Sequence, residues 1–144
     1  MNESERDGYR YGWLIVAAWA IALAGTVGSL FFSEVMGYPP CSLCWYQRIA
    51  LYPIVIVLAV GVSLGDRRSA LYALPLAAVG FGVAVYHNML YYGIIPAELQ
   101  PCTEGTPCTA VQLELLGFIT IPLMSLASFA FITAALGLFA YRNK

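Results

Sequence analysis

Charge is what this sequence has least of. Only 10% of its 144 residues are Asp, Glu, Lys or Arg, against about 25% in an ordinary soluble domain. That scarcity excludes a chain whose surface is wetted all round by water. Seven Lys and Arg against eight Asp and Glu leave a net charge of −1 and no basic arm, so nucleic acid is not expected as a partner. Histidine occurs once, at His87. Cysteine occurs four times and never inside a long apolar run, which argues against a conduit carrying electrons across a membrane through buried thiols.

What is abundant is apolar surface, at 60% of the residues. A bilayer core about 30 Å thick is crossed by a helix of about 20 mostly apolar residues. Four such stretches are present: Tyr11 to Phe32, Tyr46 to Leu64, Ala70 to Tyr91 and Phe118 to Tyr141. They leave little chain over, so residues 1–144 read as a single all-α, integral-membrane four-helix bundle. Gly25, Gly28, Gly61, Gly80, Gly82 and Gly137 fall within the spans, where small residues let helix backbones approach. Pro53, Pro75 and Pro122 fall inside spans or near their starts and predict local kinks. A cleaved leader, suggested by Arg6, Arg10 and Ala22-Leu23-Ala24, is disfavoured because the apolar run continues through Leu30, Phe31 and Phe32, the length of a span rather than of a signal core.

Orientation follows from the basic residues, which are retained on the cytoplasmic side when they lie in short loops near span ends. Arg6, Arg10, Arg67, Arg68, Arg142 and Lys144 all fall on one side of the four spans. Both termini are therefore expected in the cytoplasm of a cell-membrane protein. The Glu34 to Trp45 connection and the Tyr92 to Gly117 loop face outward, with Arg48 as their sole basic neighbour.

All four cysteines lie in those outward connections, Cys41 and Cys44 in the first, Cys102 and Cys108 in the second. That placement puts them in an oxidising compartment, where thiols that can pair usually do. On residue types alone, two static disulfides or a four-thiolate zinc site remain alternatives. A Cys-x-x-Cys bridge closes a very short loop, however, and stabilises least in the chain-entropy account. It suits a redox switch better than a brace. The pair also lies just before the second span, so Cys44 is expected at a helix N-terminus, where the dipole favours a thiolate.

Arg48 follows Cys44 by one helical turn on the same face, and a cation there opposes the helix dipole. It either stabilises the Cys44 thiolate and an anionic ligand oxygen or snorkels to headgroup phosphates. His87 is either an interhelical hydrogen-bonder or a ligand contact, ionisable groups in spans being functional candidates by default. Trp45, Tyr46, Tyr91 and Tyr92 read as an interfacial aromatic belt or as walls for a flat ligand. Glu34 reads as an exposed loop-edge acid rather than a proton carrier.

The stretch Pro40-Cys41-Ser42-Leu43-Cys44-Trp45-Tyr46-Gln47-Arg48, opening a span in a chain with a second outward cysteine pair, resembles the signature of the DsbB/BdbC family of disulfide-generating membrane proteins. The resemblance implies a thiol:quinone oxidoreductase that reoxidises a DsbA-like, thioredoxin-fold thiol oxidase. It implies Cys41 and Cys44 as the quinone-facing pair, with Cys44 the attacking thiolate, Arg48 and His87 as quinone contacts, and Cys102 and Cys108 as the shuttle pair, with Cys102 forming the mixed disulfide. A ubiquinone or menaquinone is the cofactor so implied, membrane lipid the surroundings, and no metal is expected. Only Thr103 to Pro107 separate the second pair, which is similar to the short-loop BdbC-like members and puts a membrane-lying loop helix in doubt. The vitamin K epoxide reductase type places its pairs in the reverse order. A non-enzymatic membrane scaffold with braced loops remains the alternative from another class.

Overall fold

A computed structural model of the chain describes residues 3–101, 105–109 and 114–142. Helix α1 (Glu3–Leu30) continues into a π-helical turn over Phe31–Val35. Helices α2 (Ser42–Leu64), α3 (Ser69–Tyr91) and α4 (Ile121–Arg142) follow, with a 3₁₀ turn at Ala97–Leu99 and a small hairpin of β1 (Glu114–Leu115) and β2 (Ile119–Thr120) between α3 and α4. The hairpin is antiparallel, Glu114 facing Thr120 and Leu115 facing Ile119. All four long helices are long and apolar enough to cross a membrane, as a bilayer demands of a chain that must satisfy its own backbone hydrogen bonds.

The helices pack in cyclic order, each of α1 to α4 against the two beside it. The centre is built from small residues facing large ones. Ala18 and Ala22 of α1 and Ala73, Ala77 and Ala84 of α3 are buried beside Ile54 and Leu58 of α2 and Phe129, Ile132, Leu136 and Phe139 of α4. Large apolar side chains also point outward, such as Ile56 at 65% and Val79 at 64% exposure. In water such a surface would aggregate; against lipid it is the expected face.

Several boundaries differ from the sequence reading. Helix α2 begins at Ser42 rather than at Tyr46, because Cys41 supplies the cap that starts it. Helix α4 begins at Ile121 rather than Phe118, since Thr120 Oγ1 accepts the Leu123 amide proton at 3.4 Å and the residues before it turn the hairpin. Leu116 and Gly117 carry that turn with φ of 58° and 81°, the left-handed region that leucine rarely enters. Helices α2 and α3 run through Pro53 and Pro75 without interruption, and Pro122 lies in the first turn of α4, where a missing amide is tolerated. Between α2 and α3, Gly65 takes the left-handed cap at φ 66°, Asp66 Oδ1 accepts the Arg68 amide proton at 2.9 Å, and Ser69 Oγ donates to the Asp66 carbonyl at 2.7 Å.

Gly80 gives the Phe129 ring of α4 its room against α3, for a Cβ there would run into that ring. Gly80→Ala is accordingly expected to lower stability by about 1–3 kcal/mol through overpacking, read as a lower unfolding midpoint in detergent. Adding Phe129→Leu should recover part of the loss, whereas an unchanged midpoint in Gly80→Ala would show that the two helices are free to part.

Candidate redox site

The site begins where Pro39 and Pro40 deliver an extended chain to α2. Cys41 holds φ −75° and ψ 169° and caps the helix, its sulfur accepting the Cys44 amide proton at 3.4 Å. The cap turns both sulfurs toward each other, with Cys41 Sγ and Cys44 Sγ 3.0 Å apart. Both are free thiols. His87 reaches the pair from α3, its Nε2 3.9 Å from Cys41 Sγ and 3.2 Å from the Cys108 carbonyl oxygen. Gln47, one turn into α2, sets its amide nitrogen 3.2 Å from the other ring nitrogen, Nδ1. In the neutral tautomer that suits all three, Gln47 donates to Nδ1 and Nε2–H donates to the Cys108 carbonyl. Cys108 is disulfide-bonded and buried with Cys41, Leu43 and Leu90 in one apolar cluster. Cys102 lies outside the described residues.

Cys44 lies in the first turn of α2, as expected, and Cys41 caps that turn, its thiol held far below the usual 9.0, at about 4. The hydrogen bond from Cys44 is the largest cause. Burial works against it, while hydrogen bonds from His87 and the Cys44 amide add to it.

Arg48 is buried at 8% exposure. Its Nη2 donates to the Ser29 carbonyl of α1 at 2.7 Å, and its guanidinium carbon lies 5.5 Å from the centre of the Trp45 ring. A backbone carbonyl and an aromatic face thus supply the compensation that a cation near a helix N-terminus requires. On the same side of the pair a cavity of about 290 Å³ opens between α1, α2 and α4, with Cys44, Gln47 and Arg48 in its wall and Gly25, Phe32 and Tyr38 among the residues around them. His87 does not line it and meets the Cys108 carbonyl instead. Trp45, Tyr46, Tyr91 and Tyr92 do not line it either; Trp45, Tyr46 and Tyr92 are exposed, as a belt requires. Tyr91 instead donates to Glu114 Oε1 at 3.4 Å, and Glu34 is exposed on the π turn. Phe32, Tyr38 and Ser29 escaped the sequence reading. The wider π turn brings Phe32 and Tyr38 together, the Tyr38 amide donating to the Phe32 carbonyl at 3.0 Å, and no local motif announces that.

Free thiols at a helix start beside a cysteine already in a disulfide define a class, the multi-pass membrane proteins that exchange thiols and disulfides. Comparison with known proteins agrees. Residues 9–139 match the family described as "Disulfide bond formation protein DsbB", and the chain belongs to that family. A "Probable disulfide formation protein" of Metapseudomonas resinovorans is 41% identical over 132 residues, 91% of this chain and 90% of that protein. The "Disulfide bond formation protein C" of Bacillus subtilis (strain 168) is 39% identical over 118 residues, 82% of this chain and 86% of that protein. No solved structure matches.

In the reduced protein, the alkylation rate of Cys41 by a small neutral reagent, followed by peptide mass spectrometry, should stay level from neutral pH downward and fall only as pH drops through about 4. The sign follows from the lowered value: the reactive thiolate persists until the medium is acidic enough to protonate it. Cys44→Ala removes the largest cause and should move the inflection upward, toward the ordinary thiol range.

Proposed function

We propose that this protein is a membrane thiol:quinone oxidoreductase that reoxidises an extracytoplasmic thioredoxin-fold dithiol oxidase. One observation carries the reading: the free Cys41–Cys44 pair has an apolar cavity on one side, reached by Cys44 and Arg48, and the disulfide-bonded Cys108 on the other, reached through His87. Family membership supports the disulfide chemistry, and the cavity supports the electron acceptor. Its volume is near the lower end of small-molecule sites, and its wall is mostly apolar with a few polar groups, as a flat membrane-soluble ring requires. The residues present fit a quinone, which Cys44, Arg48 and the cavity wall would hold. When bound, it supplies a sink for two electrons, the number a dithiol releases.

The chain's own residues do the rest. A partner thiolate attacks the Cys102–Cys108 disulfide, with Cys102 taking the mixed disulfide, and a second partner thiolate resolves it. The partner leaves oxidised and the second pair is left reduced, two electrons having moved. The reduced second pair then passes those electrons to the Cys41–Cys44 disulfide by the same exchange. Cys41, the sulfur nearer His87 and Cys108, is attacked first, which frees Cys44; it then leaves as thiolate when the other sulfur of the second pair resolves the mixed disulfide, a step its low pKa favours. Cys44, on the cavity side, is the sulfur from which electrons depart. His87 keeps Cys41 and the Cys108 segment in register and offers a proton at Nε2. Arg48, fixed on Ser29, presents positive charge where Cys44 and a ligand oxygen meet.

Anaerobic mixing with a reduced thioredoxin-fold oxidase should convert quinone to quinol in stoichiometric amount, and Cys44→Ser and Cys102→Ser should each abolish it. Intact disulfides inert toward such partners would return the chain to the scaffold reading. Arg48→Ala should raise the quinone KM about tenfold, the worth of one charged hydrogen bond, without preventing formation of the second disulfide. An unchanged KM would make Arg48 a structural tie between α1 and α2. The basic residues favour an extracytoplasmic side for both cysteine pairs, so a membrane-impermeant maleimide should label a Glu98→Cys variant, at an exposed position of the second loop, in intact cells beyond the parent. Labelling only after lysis would invert the orientation.

A further inference from the structure

The reduced thiols and His87 make a second kind of site. The sulfurs of Cys41 and Cys44 and a ring nitrogen of His87 all lie within 4.8 Å of one another, with both thiols free and His87 buried at 2% exposure. We propose that the reduced pair and His87 capture a divalent thiophilic cation, zinc being the natural candidate, and that this capture holds the protein out of turnover. The sequence offered zinc only as a four-cysteine alternative; the fold replaces the second pair with a histidine from α3.

Tetrahedral zinc has Zn–S near 2.3 Å and Zn–N near 2.0–2.1 Å, which spaces two sulfurs about 3.8 Å apart and a sulfur from a nitrogen about 3.6 Å. Cys41 Sγ to His87 Nε2 is already 3.9 Å. The two sulfurs, at 3.0 Å, must part by about 0.8 Å to meet that spacing, and Cys44 borders the cavity, so it has space to turn. Charge favours a dication. With both sulfurs deprotonated, two thiolates and a neutral imidazole cancel the charge of Zn²⁺, so no net charge is buried. A monovalent cation would leave the cluster negative. Three protein ligands leave the fourth position for water, on the cavity side.

Gln47 decides whether His87 can serve. Coordination through Nε2 needs that nitrogen's lone pair, so the ring proton moves to Nδ1 and Nε2–H no longer donates to the Cys108 carbonyl. Gln47 then turns its amide so that the side-chain oxygen accepts from Nδ1–H, an exchange of roles an amide can make. This is the outer partner that metal-bound histidines commonly have. Binding is also redox-gated, because once Cys41 and Cys44 are joined in a disulfide neither offers a thiolate. Capture rests on this geometry alone; its effect on turnover rests on the thiol:quinone reading above.

The test uses the full chain in detergent, reduced under anaerobic conditions, with Cys102→Ser and Cys108→Ser to confine binding to the first pair and Co²⁺ as the spectroscopic probe. One equivalent of Co²⁺ should give the thiolate charge-transfer and visible bands of a tetrahedral site, zinc should displace it, and the protein with Cys41 and Cys44 oxidised should give neither band. His87→Ala should weaken binding at least tenfold and Gln47→Leu about 10–100-fold. Gln47→Glu, which keeps a polar partner for His87 and guards against misfolding, should bind at least as well as the parent. Absence of the tetrahedral bands, or bands unaltered by His87→Ala in protein that retains its helical circular dichroism, would overturn the proposal. In the chain with all four cysteines, zinc should stop quinone reduction and a chelator restore it. A bound metal with undiminished turnover would overturn the electron path through Cys41 and Cys44 while leaving the metal site standing.

Discussion

The sulfur of Cys41 closes the N-terminus of α2, and most of the site follows from that one contact. A helix start leaves amide protons without partners, and a cysteine taking one of them at 3.4 Å is thereby fixed in direction. Cys44, three residues on, must then face it. The same cap turns the positive end of the helix toward sulfur, and this adds to the larger effect of the Cys44 hydrogen bond in favouring negative charge on Cys41. A Cys-x-x-Cys in a loose loop would have neither the fixed spacing nor the charge.

The bundle brings the remaining groups to that sulfur. Small residues on α3 let α4 approach, Gly80 lying directly under the Phe129 ring, and His87, on the same helix, reaches back to α2 through Gln47. Asn88, its neighbour, donates at 2.8 Å both to the Ala84 carbonyl and to the Pro122 carbonyl in the first turn of α4. Tyr86 donates to the Leu99 carbonyl at 2.8 Å and so ties the following loop to the end of α3. One turn of α3 therefore places a ligand to the thiols, a clasp on α4 and an anchor for the loop.

The two faces of the thiol pair differ in kind. Toward Cys108 the surroundings are packed and hydrogen-bonded; toward Arg48 they open into an apolar cavity. A dithiol flanked in this way has one neighbour suited to thiol exchange and another suited to a small apolar ligand, a division of labour that the proposed electron path uses. Arg48 is compatible with an apolar wall because its guanidinium is shared between the Ser29 carbonyl and the Trp45 ring, which leaves its charge beside the cavity without leaving it unpartnered.

The four spans, their short second connection and the family were legible in the sequence because each depends on local properties: apolar length, the residues of one tight turn, and a run from Pro40 to Arg48 that is contiguous in the chain. Arg48 could be singled out for the same reason, as a cation one turn into a helix is anomalous without any knowledge of its neighbours. What covers that cation and which groups His87 joins were decided only by tertiary structure. Ser29 lies 19 residues from Arg48 and Cys108 lies 21 from His87, so no local pattern joins them. The start of α2 shows the division most plainly. Hydrophobicity begins the span at Tyr46, but a hydrogen bond to sulfur begins the helix at Ser42; that shift makes Cys41 the cap, because a helix starts where its first amides find partners and not where its apolar residues begin.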